Sequence, residues 1–207
     1  MLTISESTAS RIPPIEPGTH PAVCYGLIDL GEQFSETYQK WSRKVLIMWE
    51  LPGEIIDTGS GDVGNRVISQ KYTASLSDRA ALRRDLIAWR GRDFTPEELK
   101  GFDLHTIVGA PCLLNIVHRD YQGNTYANIG GVMKLPKGMA VEKPTMAHVV
   151  FDLDTDDLAV VETLPEWVQK QVKESRQYKE RTGNAPAADM KMDDYREDVE
   201  DEDDVPF

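Results

Sequence analysis

The chain is short of cysteine, histidine, long apolar runs and positive charge, and each shortage closes off a class of protein. Only Cys24 and Cys112 are present, neither in a CxxC pair, which argues against a disulfide framework and a zinc ribbon. The four histidines, His20, His105, His118 and His148, share no ligand spacing, so no metal site is expected from them. No apolar stretch approaches the roughly 18 residues needed to cross a bilayer, and the opening MLTISESTASR lacks the apolar segment of a secretory leader. A cytoplasmic protein with no membrane partner and no cofactor is expected. Lys and Arg number 23 against 35 Asp and Glu, a net charge of -12. The deficit is uneven: residues 188–207 hold ten carboxylates against Lys191 and Arg196, a net of -8, which leaves -4 (-12 less -8) for residues 1–187. A body so nearly balanced can still carry a basic groove.

What is present suffices for one core. With 207 residues and 40% apolar content, one domain with a tail is expected: a loose Ser-, Thr- and Pro-rich arm over 1–17, a folded body over 18–160, a helix within 161–183 and a disordered acidic tail over 184–207. Residues 19–30 (THPAVCYGLIDL) and 43–51 (RKVLIMWEL) read as strands, with a polar turn over 31–38 between them. A glycine-rich connection over 52–65 precedes an alternating third strand at 66–75. A helix follows, capped by Ser77, striped by Leu82, Leu86 and Trp89, and ended by Gly91. Thr95, Pro96 and Glu98 form a capping-box start to a second short helix. Residues 111–119 and 125–135 flank the turn DYQGN as a hairpin, and Gly130 and Gly131 in its second strand point to a bulge or to a bend where the sheet curls over. A further strand is expected within 146–153, and a polar helix over 165–181 with Trp167 and Val168 near its start. Three strands, a helix and two strands is the order of the OB-fold, so the fold class expected is mainly β (α+β), an OB-fold-like five-stranded Greek-key barrel that binds oligonucleotides on one face.

Sequence-tolerant binding of single strands needs cations along the phosphates and flat rings under the bases. The chain interleaves both. Lys40, Trp41, Arg43, Lys44 and Trp49 lie in or just before the second strand, and Arg66, Lys71 and Tyr72 lie along the third. Arg119, Tyr121 and Tyr126 border the hairpin turn, with Lys134 and Lys137 after it. Trp49 shares a strand face with Val45 and Ile47, so a core position is at least as good a reading for it, whereas Trp41 and Tyr121 sit among charged or turn residues. Two enzyme-like motifs fail on context. Gly59, Gly61 and Gly64 match GxGxxG, but a strand rather than a helix follows them. The run VVFDLD resembles a phosphatase nucleophile strand, with Asp156 where that pattern has Thr or Val. The carboxylates Asp152, Asp154, Asp156 and Asp157 could hold Mg2+ for a nuclease, yet no basic catalytic partner stands near them, so no enzyme activity and no catalytic residue is expected.

The last ten residues, DVEDEDDVPF, are six carboxylates closing on an apolar pair and a free terminus. Acids alone make a solubility tail; an aromatic ring beside a terminal carboxylate makes a docking peptide, with an apolar anchor and a charge that one Arg or Lys can clamp. Asp203, Asp204, Val205, Pro206 and Phe207 resemble the acidic tip of bacterial single-stranded DNA-binding proteins, which typically end Asp-Asp-Ile-Pro-Phe, and phage replication proteins of the same functional class also end in acids and Phe. The resemblance covers about five residues. It implies a protein that coats single-stranded DNA in replication, recombination or repair, recruits replication proteins through its tip, acts in a bacterial or phage-infected cell and often forms a homo-oligomer. The rival expectation is an adaptor or inhibitor that carries the same tip without binding DNA.

Overall fold

The computed structural model describes residues 12–57 and 63–184. Six strands form one sheet: β1 (Gly18–Ser35), β2 (Lys40–Asp57), β3 (Val63–Thr73), β4 (Pro111–Tyr121), β5 (Asn124–Met133) and β6 (Val149–Phe151). The path is β3-β2-β1-β4-β5, antiparallel throughout, with β6 added parallel to β1. The helices are α1 (Ala81–Arg90), α2 (Glu166–Glu174) and α3 (Arg176–Arg181).

β1 organises the molecule. Residues 22–31 are buried without a break because both faces of the strand are covered, which replaces the alternation of a one-sided strand with an apolar run interrupted by the buried Asp29. A bulge between Cys24 and Gly26 shifts the side-chain parity. Ala22, Cys24 and Leu27 enter one core with Val45, Ile47, Trp49, Tyr72, Leu86, Trp89, Leu114 and Ile116. Tyr25, Ile28 and Leu30 enter a second with Leu46, Met48, Phe151, Leu153, Val161, Val168 and Val172. Burial pushes the Cys24 thiol up to about 12 and raises that of Cys112 as well, so both are neutral core groups at pH 7.

The expected closed barrel is corrected to an open sheet. Among the described residues no ladder joins β3 to β5. The helix α1 packs against both strands instead, with Lys134 N donating to Ala88 O at 3.1 Å and Tyr72 Oη donating to Asp85 at 2.9 Å. Trp89 Nε1 donates to Pro111 O, which ties the helix to the start of β4. Gly91 ends α1 in the left-handed region (φ 70), its N–H on Ile87 O. Ser77 is not the cap; the helix starts four residues later, after a turn in which Ala80 N donates to Ser77 O.

Several local readings hold at the level of single bonds. Thr95 and Glu98 exchange the two bonds of a capping box, although the element they open is a single 3-10 turn at Glu98–Lys100. Gln122 and Gly123 both have positive φ (48 and 77), as a two-residue type I′ hairpin turn requires. Gly130 is the extra residue where the β4–β5 register shifts, and a Cβ there would lie 3.0 Å from Val117 Cγ1. Other boundaries move. Ile15 is buried and its carbonyl meets His118, while Pro13 O accepts from Arg66, so residues from 12 onward belong to the fold rather than to an arm. β1 runs to Ser35, β2 to Asp57, and β3 starts at Val63, which together absorb most of the expected turn and glycine-rich connection. The expected C-terminal helix is two helices broken at Ser175, whose Oγ caps Tyr178 N.

Candidate nucleic-acid interface

The β1–β2 turn spans Glu36–Gln39, with Gln39 at φ 51. On either side the register sets Phe34 directly across from Trp41 and Ser35 across from Lys40. The Phe34 and Trp41 rings stack at 5.3 Å between centroids, tilted 53°. Tyr38 projects from the turn with Lys40 Nζ 5.6 Å from its ring centroid. Phe34 is 39% and Tyr38 40% exposed. Three rings and an ammonium thus share one solvent-facing hairpin tip, an arrangement that offers stacking surface and charge together. The sequence places Phe34 and Tyr38 in a polar turn; the signal against that reading is two aromatics four residues apart just before Lys40 and Trp41.

Further along β2 the expected contacts divide. Lys44 Nζ donates to Thr73 Oγ1 at 2.6 Å, and Lys71 lies on the same half-buried face of β3. Arg43 is engaged elsewhere: its guanidinium binds the buried Asp29 and, at 2.7 Å, Asp154. The Asp29 hydrogen bond, against some desolvation, raises its pKa further above the ordinary arginine value. The carboxylates of Asp29, Asp152 and Asp154 lie within 4.8 Å of one another, but the guanidinium already bridges two of them, and Asp152 accepts from Asp154 N within its own turn. Arg43 is therefore a cross-link between the sheet and the segment after β6.

Trp49 and Tyr72 are 0% and 1% exposed. Trp49 packs on Trp89 at 5.9 Å between centroids. Neither ring can receive a base, and both leave the candidate surface. Arg66 is half-buried and donates to Pro13 O at 2.6 Å, holding the N-terminal segment.

At the other end of β1, Gly18 pairs with Ile116, and the β4–β5 hairpin continues past it. There Arg119 faces Tyr126 across the ladder, and Tyr121 stands 49% exposed at the tip with Gln122 Nε2 3.3 Å from its hydroxyl. Lys134 and Lys137 follow β5 and are exposed. The structure does not gather the predicted residues into one cluster; it sets two aromatic and basic hairpin tips at opposite ends of β1.

Between the tips, one face of β1 and β2 is closed off. The second core covers Leu46 and Met48, and Glu50 beyond them is buried under residues 145–146. Its carboxylate accepts from Thr145 N and Oγ1, Met146 N and Asn65 Nδ2 at 2.6–3.1 Å. Burial opposes that charge, yet the four donors outweigh it and hold the carboxyl below the ordinary glutamate range.

The tip residues Asp203, Asp204, Val205, Pro206 and Phe207 lie outside the described residues. No helix among the described residues is long and apolar enough to cross a membrane. No protein-family model matches the chain, and no curated protein matches it at a significant level.

Proposed function

We propose that the protein binds single-stranded DNA without sequence preference and recruits replication proteins through its acidic C-terminal tip. The observation that carries this reading is the pairing of exposed or half-buried rings with cations at both hairpin tips: Phe34, Tyr38, Lys40 and Trp41 at one end of β1, and Arg119, Tyr121 and Tyr126 at the other, with Phe34, Tyr38 and Tyr121 the exposed ones. The strand order β3-β2-β1-β4-β5, with α1 between β3 and β4 in sequence, supports an OB-like architecture in which the helix fills the place of β3–β5 closure. Bases stack at the tips, while Lys44, Lys71, Lys134 and Lys137 meet phosphates. The acidic segment 188–207, net -8, competes weakly with DNA for these cations.

Anisotropy of a labelled oligo-dT at low salt tests the reading, using the full chain and a chain ending at Ala187, with matched duplex as the control. Single-strand binding that discriminates against duplex and tightens without the tail is expected. A second reading is favoured by the burial of Trp49 and Tyr72 and by the engagement of Arg43 with Asp29 and Asp154: an adaptor that engages replication proteins through the tip without touching DNA. Absence of binding by either chain would sink the first reading and leave the second.

A further inference from the structure

The two faces of β3 meet different surroundings. Its ladder to β2 advances one residue at a time from Thr73 to Val63, so its side chains alternate without a break. Tyr72 and Ile68 turn toward α1, where Tyr72 bonds Asp85 and Ile68 packs on the first core. Val63, Asn65, Val67, Ser69 and Lys71 turn the other way. The amide of Asn65 is bound down onto Glu50 Oε1 at 2.6 Å, which leaves Val63 and Val67 standing on either side of it. Both reach solvent, Val63 66% and Val67 48% exposed, and Ile55, the cross-strand partner of Asn65, adds a third aliphatic side chain at 67%. Met146, whose N–H donates to the carboxylate of Glu50, the cross-strand partner of Val67, is 41% exposed.

This strip is continuous with the β1–β2 tip. Lys71 follows Ser69 on the same face, Lys44 reaches Thr73, and Trp41 and Lys40 stand three and four residues before Lys44. Rings and cations thus give way along β3 to aliphatic groups. Isoleucine and valine offer a phosphate no charge and a base no donor, acceptor or ring face. What they reward is apolar surface on the base itself, and among the DNA bases thymine carries such a group in its C5-methyl.

We propose that Ile55, Val63 and Val67 form a contact surface for thymine methyl groups, so that the protein favours thymine within its general single-strand binding. The inference rests on the single-strand reading above and assigns residues outside the two hairpin tips. A strand laid from the Phe34–Trp41 tip past Lys44 and Lys71 brings its next bases over Val67 and then over Val63 and Ile55. The preference is graded. A methyl withdrawn from water changes affinity about fourfold, which tilts binding without restricting it to one sequence.

Oligo-dT and oligo-dU of equal length differ in the C5-methyl alone. Competition anisotropy of the full chain at low salt is expected to show oligo-dT bound at least about fourfold more tightly. A variant carrying Ile55→Thr, Val63→Thr and Val67→Thr replaces exposed apolar groups by hydroxyls and keeps the β-branched shape that suits a strand. Its preference is expected to fall below about twofold, half the ratio set by one buried methyl, with oligo-dU affinity unchanged. Trp41→Ala is expected to weaken both oligonucleotides and keep the ratio. Should the triple variant lower the urea midpoint, Val63→Thr, at the more exposed valine, decides alone by the same fall in ratio. Equal affinity of the wild-type chain for the two oligonucleotides overturns the methyl contact, leaves the strand-binding reading in place and turns the strip over to an apolar protein partner. A ratio that survives the substitutions belongs to stacking at the tips and overturns the proposal as well. A chain that binds neither oligonucleotide overturns both readings.

Discussion

Trp41 and Trp49 share one strand and, by parity, one side of it, yet they end in different environments. Trp49 is sealed between β1, β3 and α1, whereas Trp41 lies past the last β3 partner, half-buried and set against Phe34 of the opposite strand of its own hairpin. Trp41→Ala, Phe34→Ala and Tyr121→Ala are each expected to weaken oligo-dT binding by about 1–3 kcal/mol with little change in the urea midpoint. Trp49→Ala is expected instead to destabilise the fold by about 3–5 kcal/mol. Equal losses of stability for Trp41→Ala and Trp49→Ala would contradict the assignment. Glu50 gives a second prediction. Its folded pKa is depressed, so its stabilisation is complete above the unfolded carboxyl value of about 4.3 and is lost as pH falls through the lower folded value. Glu50→Gln is expected to cost about 2–3 kcal/mol at pH 7, and chemical denaturation should show that cost shrinking toward pH 3.

Among the elements, the C-terminal helices depend on contacts far away in sequence. Gly31 (φ 68) lets β1 bulge where Asp29 Oδ1 accepts from Gly31 N, and a Cβ there would lie 2.6 Å from Leu153 Cδ2 and 2.7 Å from Ser175 Cβ. Asp29 in turn holds Arg43 and accepts from Leu153 N, and Arg181 donates to the carbonyls of Leu153 and Asp156. Arg43→Met should leave the buried Asp29 carboxylate short of a partner and cost about 1–3 kcal/mol, a range reduced from that of a fully buried pair because Arg43 is partly exposed. Hydrogen exchange is the measurement: protection in α2 and α3 is expected to fall before protection in β4 and β5. Uniform loss across all strands would show that the layer is not separately anchored. The capping box, the Gln122–Gly123 turn and the Gly130 bulge were legible because each is set by residues within a few positions. The extension of β1 to Ser35 was not, because its polar residues read as a turn although they pair with Lys40–Lys44; nor was the break at Ser175, which packs against Gly31, more than a hundred positions away.

Across the whole molecule, charge is the governing quantity. Under the proposed function, a net of -8 in residues 188–207 against -4 in the rest would set the tail to compete with DNA at low ionic strength, where screening is weak. Affinity is expected to fall with log[salt] at a slope of about -0.7 per phosphate contacted. Removing residues 188–207 should tighten binding most at low salt, with the two titration curves converging as salt rises. Curves that run parallel at every ionic strength would rule out electrostatic competition. The candidate residues show how far composition reaches: Trp49 and Tyr72 lie in the core, Arg43 and Arg66 make structural bonds, and Phe34 and Tyr38, which the sequence places in a polar turn, are exposed.

Local chemistry is what the sequence determined unaided: a mainly β body with its helix in the right interval, a hairpin about the DYQGN turn, an acidic tail apart from a nearly balanced body, and the absence of a long apolar span. These follow from backbone preference and from short-range periodicity, which act between neighbours. Only the tertiary structure decided that the sheet stays open, that β1 is buried on both faces, and that the rings and cations collect at two separate hairpin tips. Those outcomes rest on which surfaces meet. Helix α1 fills the gap between β3 and β5, the C-terminal layer covers one face of β1 and β2, and a side chain's exposure is fixed by whatever packs over it rather than by its own alternation along the strand.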